Sequence, residues 1–141
     1  MTPVNEAANS REEIERGNEA LRAAGELLRL DLYNDAVSRA YYAAYHWARA
    51  ALFTRGLESR THRGVIQLLG LHFVRKGILP PEAATLLAQL ESSREAGDYA
   101  ASVRFTAEEA RAAFSQAESF IALCRPCLDT IAGRENDQPR Q

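Results

Sequence analysis

Apolar positions in this chain recur at three- and four-residue intervals, and no stretch alternates apolar and polar in steps of two. The first such run carries Ile14, Leu21, Ala24, Leu27 and Leu28, the spacing of one buried stripe on a helix. "SREE", Ser10 to Glu13, stands before it as a capping box, so the pattern predicts a helix from Ser10 to about Leu30. Asn34 and Asp35 suit a cap better than a helix interior and open a second helix that stops at Gly56. A third helix is predicted from roughly Thr61 to Lys76, closed by Gly77. Pro80 and Pro81 suit a first turn, and "EAATLLAQLESSREAG" continues that fourth helix to Gly97. "GDYAASVRF" reads as a short loop. "TAEE", Thr106 to Glu109, is a second capping box opening a fifth helix to about Ile131, which Pro126 should kink or end early.

This is the pattern of an all-α protein, expected as an up-down four-helix bundle with a fifth, shorter helix. Residues 1–9 are expected to be a flexible N-terminus, 10–132 the bundle, and 133–141, "GRENDQPRQ", a disordered C-terminal tail with almost no apolar content. A chain of 141 residues with 46% hydrophobic and 26% charged positions can bury one core without disulfides or metals. No apolar run approaches the ~20 residues of a membrane span. The N-terminus lacks the basic-then-apolar order of a signal peptide, so the expected location is the cytoplasm.

Charge changes the picture locally. The whole chain is at −2, but from Arg39 to Lys76 seven basic residues face one acid, Glu58, giving +6 there and −8 elsewhere. Such a segment is either a field that gathers a phosphate-bearing ligand or a solvated surface in an arginine-biased chain. The two cysteines form "CRPC", Cys124 to Cys127. No second Cys/His pair with zinc-finger spacing accompanies them, and no strand precedes them as a redox site would require, so they read as free thiols in a helix.

The densest chemistry lies in "SRAYYAAYHWARAAL", Ser38 to Leu52. Arg39 and His46 are seven residues apart and differ by only about 20° around a helix axis, with Tyr42 between them. Tyr41, Tyr45 and Trp47 point elsewhere, toward the core or an interface. Ala40, Ala43 and Ala44 let another helix approach closely, and a closely packed polar stripe must be either satisfied or used. One reading is a buried network, with Arg39 on an acid such as Asp98 and His46 on a backbone carbonyl; the other is an anion site. "RTHRG" adds His62 and Arg63 at a helix start, where free backbone N–H groups also favour an anion. "SREAGDYA" adds Arg94, Asp98 and Tyr99.

Taken in order, "AVSRAYYAAYHWARAALFTRG", "THRGVIQLLGLHFVRKG" and "REAGDYA" resemble the HEPN superfamily, in particular its small stand-alone bacterial and archaeal members, over about Ile14 to Leu128. The resemblance implies a helical bundle, usually a homodimer, whose Arg-x(4–6)-His motif lies in a cleft at the dimer interface. Arg39 and His46 match that motif with six residues between them. In HEPN ribonucleases these positions cleave RNA without a metal or other cofactor: His46 would serve as general base or acid, and Arg39 would hold the scissile phosphate. Tyr42, His62, Arg63, Asp98 and Tyr99 are the matching candidates for binding RNA or a nucleotide. The resemblance further implies a toxin–antitoxin component, or alternatively a non-catalytic module that binds a nucleotide or a nucleotidyltransferase partner. The toxin branch that pairs with a small nucleotidyltransferase carries a tyrosine two residues after the histidine, which that partner modifies. Ala48 stands there in this chain, so that modification is not expected.

Overall fold

The computed structural model of the chain describes residues 3–137. Among them every regular element is helical: α1 (Pro3–Arg29), α2 (Tyr33–Phe53), α3 (His62–Leu69), α4 (Pro81–Tyr99) and α5 (Ala107–Asp137). α3 is the short one, and it continues into one π-helical turn, Gly70–Val74. No helix among the described residues is long and apolar enough to cross a membrane.

Local chemistry explains most boundaries. Thr61 caps α3 by accepting from the Gly64 N–H at 2.9 Å. Thr106 and Glu109 form the predicted capping box, each side chain accepting from the other's backbone N–H at 3.1 and 2.9 Å. Pro81 occupies the first turn of α4. The chain turns after α2 and after the π turn through Gly56 and Gly77, whose φ of 68° and 74° lie in the left-handed region that glycine adopts without penalty.

Several sequence expectations are corrected. α1 begins at Pro3, so Ser10 lies inside it; the Ser10 hydroxyl is fully buried and donates to the Ala50 carbonyl at 2.9 Å, tying α1 to α2. Residues 1–2 of the expected flexible N-terminus lie outside the described residues. α2 begins at Tyr33 without a side-chain cap. Asn34 instead holds the loop before α5, its amide donating to Val103 O and its carbonyl oxygen accepting from Phe105 N, both at 3.0 Å. α4 runs to Tyr99, so Gly97 and Asp98 are helical rather than in a loop. Pro126 does not end α5, which continues through 133–137; residues 138–141 of the expected tail lie outside the described residues.

α2 is the central helix. It packs against α1, α3, α4 and α5, and its pairing with α1 is the most extensive in the molecule. Ala36, Ala40, Ala43, Ala44, Ala48, Ala50 and Ala51 are all essentially solvent-free, so this helix is slim where its neighbours lie against it. The approach is tight at Gly17 of α1, where an added Cβ would sit 2.6 Å from Trp47 Cδ1. Around the alanines, Phe73, Phe120, Leu52, Leu69, Leu87, Leu90 and Ile121 fill the core. Each such side chain contributes about 1.5–3 kcal/mol through its removal from water.

Candidate functional site

The core packing leaves one face of α2 for polar chemistry. Arg39, Tyr42 and His46 follow one another along it, as their spacing predicts. Arg39 is exposed and its guanidinium lies 4.7 Å from the centre of the Tyr42 ring, a cation–π contact worth about 0.5–1 kcal/mol at an open site. Tyr42 and His46 are half-buried, with ring centres 6.5 Å apart. Arg49 continues the same stripe one turn further, and its guanidinium lies 5.8 Å from the Tyr45 ring.

His62, at the start of α3, joins this face from outside α2. Its ring centre is 4.6 Å from that of Tyr45 and 6.1 Å from that of Tyr42, and its Nδ1 is hydrogen-bonded to the Tyr41 hydroxyl at 2.5 Å. Tyr41 is fully buried, and its phenol is pushed well above the ordinary range, first by burial and then by the Glu91 carboxylate. It therefore stays protonated. Glu91 is in turn gripped by Arg94, which donates from both Nη2 (2.8 Å) and Nε (3.3 Å), and Arg94 Nη1 donates to Asp98 at 3.2 Å. Arg94 is 8% exposed, its guanidinium lies 5.2 Å from the Tyr41 ring centre, and the Glu91 bonds push its pKa above the ordinary arginine value. Asp98 and Glu91 hold Arg94, Arg94 lies over the Tyr41 ring, and Tyr41 bonds His62, which links α4, α2 and α3.

His46 is bound differently: its Nδ1 lies 2.6 Å from Glu13 Oε2 of α1. The buried-network expectation is therefore corrected in both its parts. Asp98 pairs with Arg94 and not with Arg39, and His46 meets a carboxylate and not a backbone carbonyl. Among the described residues no buried side-chain nitrogen or oxygen lacks a partner.

Of the residues singled out from sequence, Arg39, Tyr42, His46 and His62 share one cluster, and Asp98 reaches it through Arg94. Arg63 is exposed on α3, and the ring and ion-pair contacts of the cluster do not include it. Tyr99 is 79% exposed at the end of α4 and likewise lies apart from the ring cluster. Sequence reasoning missed Glu13, Tyr41, Tyr45, Arg49 and Glu91. Arg49 carried a usable signal, since it extends the Arg39, Tyr42, His46 series by another three residues. Glu13 was hidden by its place in the apparent capping box. A surface hollow lined by Tyr33, Asp35, Arg104 and Phe105, among others, lies by the α1–α2 corner and includes none of these residues. No group of three or more His, Cys, Asp or Glu able to hold a metal occurs among the described residues.

An all-helical protein with an arginine and a histidine on one partly exposed stripe of its central helix is the class this fold and site define. Residues 10–127 match the HEPN domain family, and the chain belongs to it. It is 38% identical over 118 residues to a Methanocaldococcus jannaschii protein named "Putative toxin MJ0605", covering 84% of this chain and 87% of that one. A Gloeobacter violaceus protein, "UPF0332 protein glr0978", is 34% identical over 116 residues, with 82% and 92% covered. A second M. jannaschii protein, "Putative toxin MJ0142", is 26% identical over 129 residues, with 90% and 88% covered.

Proposed function

We propose that the protein is a metal-independent endoribonuclease of the HEPN family, the toxin half of a toxin–antitoxin pair, acting as a homodimer on cytoplasmic RNA. The observation that carries this reading is the open stripe of α2, on which a solvent-facing guanidinium, Arg39, and a partly exposed imidazole, His46, follow one another across Tyr42. The toxin names of two relatives support the biological role.

The chemistry needs no more than these groups. The guanidinium of Arg39 is permanently charged and matches two phosphate oxygens, so it holds the scissile phosphodiester and offsets charge gained in the transition state. His46 takes the proton of the 2′-hydroxyl as the 2′-oxygen attacks phosphorus. The 5′-oxygen leaves and takes a proton from an imidazolium, giving a 2′,3′-cyclic phosphate and a 5′-hydroxyl. A second copy of the chain supplies the second Arg39–His46 pair, so that base and acid act on one phosphate. Tyr42 and His62 offer ring faces to a base, Asp98 holds Arg94 beside them, and Arg63 and Tyr99 meet RNA outside the ring cluster.

Incubation of single-stranded RNA with the protein in EDTA tests this directly. Cleavage is expected from the wild type, with cyclic-phosphate ends, and none above background from His46→Ala. Uncut RNA, or equal cutting by both proteins, overturns the reading.

The Arg39–Tyr42 stack also favours a second reading, in which the same face holds a nucleotide or seats a nucleotidyltransferase. It predicts saturable ATP or GTP binding, lost in Arg39→Ala, without RNA turnover. Ala48 is fully buried, so a modification acceptor at that register is not part of either reading.

A further inference from the structure

His46 is held from behind by a group that the stripe itself does not contain. Glu13 comes from α1, and the two side chains are 12% and 17% exposed. The Glu13 carboxylate uses both oxygens: Oε2 lies 2.6 Å from His46 Nδ1, and Oε1 lies 3.6 Å from Arg49 Nε. Arg49 reaches on to Glu58 at 3.9 Å. Ser10, one turn before Glu13, is anchored to the Ala50 carbonyl, so α1 is pinned to α2 beside the ion pair.

A carboxylate accepts hydrogen bonds and cannot donate them. The hydrogen on the neutral imidazole is therefore on Nδ1, and the ring's lone pair is on Nε2. We propose that Glu13 is the positioning residue of His46. It fixes the Nδ1–H tautomer and the ring's orientation, so that Nε2 is the atom that exchanges protons with substrate, while Arg49 holds the carboxylate in place. The catalytic consequence rests on the ribonuclease reading; the tautomer rests on the geometry alone. Without the carboxylate the ring can take the opposite tautomer, which offers a donor at Nε2 where a base must offer a lone pair. A purely structural ion pair would affect folding and leave the rate of the bound step unchanged.

The test uses the full chain and two readouts. Long-range 1H–15N correlation of the imidazole, at a pH where the ring is neutral, is expected to show His46 as Nδ1–H in the wild type. Glu13→Gln, whose amide can donate to Nδ1, is expected to lose that preference. In the RNA assay Glu13→Gln is expected to lower kcat roughly 100-fold, at the lower end of the ~10²–10⁴ that acid–base catalysis contributes. KM should stay within about twofold, because binding is untouched. Glu13→Asp, which keeps the acceptor, should recover part of kcat. A wild-type His46 in the Nε2–H form overturns the inference, as does a Glu13→Gln protein with unchanged tautomer and kcat. The wild-type spectrum decides the matter even if Glu13→Gln does not fold. If the wild type cuts no RNA, the ribonuclease reading falls, and the tautomer comparison still decides whether Glu13 sets His46.

Discussion

The histidine face of α2 and the "CRPC" segment of α5 both place reactive side chains at helical spacing, yet their surroundings make them opposites. His46 is partly exposed, tied at one ring nitrogen to Glu13 and flanked by Tyr42 and Tyr45. Cys124 is fully buried, and burial, with the Cys127 thiol beside it, pushes its pKa far above the ordinary thiol range. Cys127 is half-buried and is also pushed up by burial, although Arg55 draws it back in part. A thiol must ionise before it attacks, and these surroundings disfavour the anion. An imidazole needs only a lone pair and a partner that fixes it. Spacing supplies reach in both segments; the neighbours decide whether any chemistry follows.

The sharpest way to break this contrast is to remove each set of groups in turn. His46→Ala is expected to reduce RNA cleavage about 10²–10⁴-fold, the size of an acid–base contribution. Cys124→Ala with Cys127→Ala should leave the rate within about twofold, since the thiols make no transition-state contact to lose. Cleavage that follows the cysteines and not the histidine, read in the same assay, would reverse the two roles.

A second contrast lies within α1, between the side packed on α2 and the side packed on α5. At Gly17 a Cβ would lie 2.6 Å from Trp47 Cδ1 and 3.1 Å from the Ala43 carbonyl, so Gly17→Ala must displace the Trp47 ring or the backbone beside it. Urea unfolding should register a loss of about 1–3 kcal/mol, as overpacking in a dense core does. At Gly25 the same Cβ would meet Phe114 at 3.6 Å, an ordinary contact. Gly25→Ala should therefore be neutral or stabilising by about 0.5–1 kcal/mol, through the lower backbone entropy of the unfolded chain. Equal effects at both positions would show that the α1–α2 approach is not the tight one.

That contrast also marks where the sequence was readable. The helices were visible because an apolar stripe and a cap are local properties, and Thr106–Glu109 behaves as its spacing says. Ser10 to Glu13 has the same Ser/Thr-x-x-Glu spacing but lies inside α1, where backbone donors are already used; its hydroxyl and carboxylate turn to α2 instead. Asn34 likewise bonds across to Val103 and Phe105, residues far away in sequence. Arg39, Tyr42 and His46 could be grouped because one helix carries all three. Glu13, Glu91 and the Tyr41–His62 bond could not, because each needs two helices brought together. Tertiary pairing has no periodicity to read.

A smaller effect separates the two histidines' partners. Glu13 is a carboxylate, whereas the partner of His62, Tyr41, is a neutral phenol whose pKa is raised from 10.0, by burial first and by Glu91 next. In the unfolded chain that phenol ionises near pH 10. The folded state keeps the proton longer, so above about pH 10 the unfolded state binds fewer protons and stability falls as pH rises. Below that pH the contribution is complete. Cys124 acts in the same direction from about pH 9, so the measurement belongs in a Cys124→Ala background. Urea midpoints from neutral to alkaline pH should fall in that protein. With Tyr41→Phe added, the neutral-pH midpoint should be lower and the alkaline decline shallower. An undiminished decline would place its origin in another group.

The smallest expected effect grades the two cysteines against each other. Both thiols are held in the unreactive form, but Cys124 is fully buried while Cys127 is partly open to solvent beside the positive charge of Arg55. Alkylation requires both the thiolate and a path for the reagent. Under native conditions Cys127 should be modified first, slowly, and Cys124 only as fast as the helices open, so that denaturant accelerates Cys124 far more than Cys127. Peptide mass spectrometry of a timed iodoacetamide reaction distinguishes them. If Cys124 keeps pace with Cys127 without denaturant, this part of α5 opens readily, and the contrast with the histidine face reduces to accessibility rather than to the ionisation of the groups.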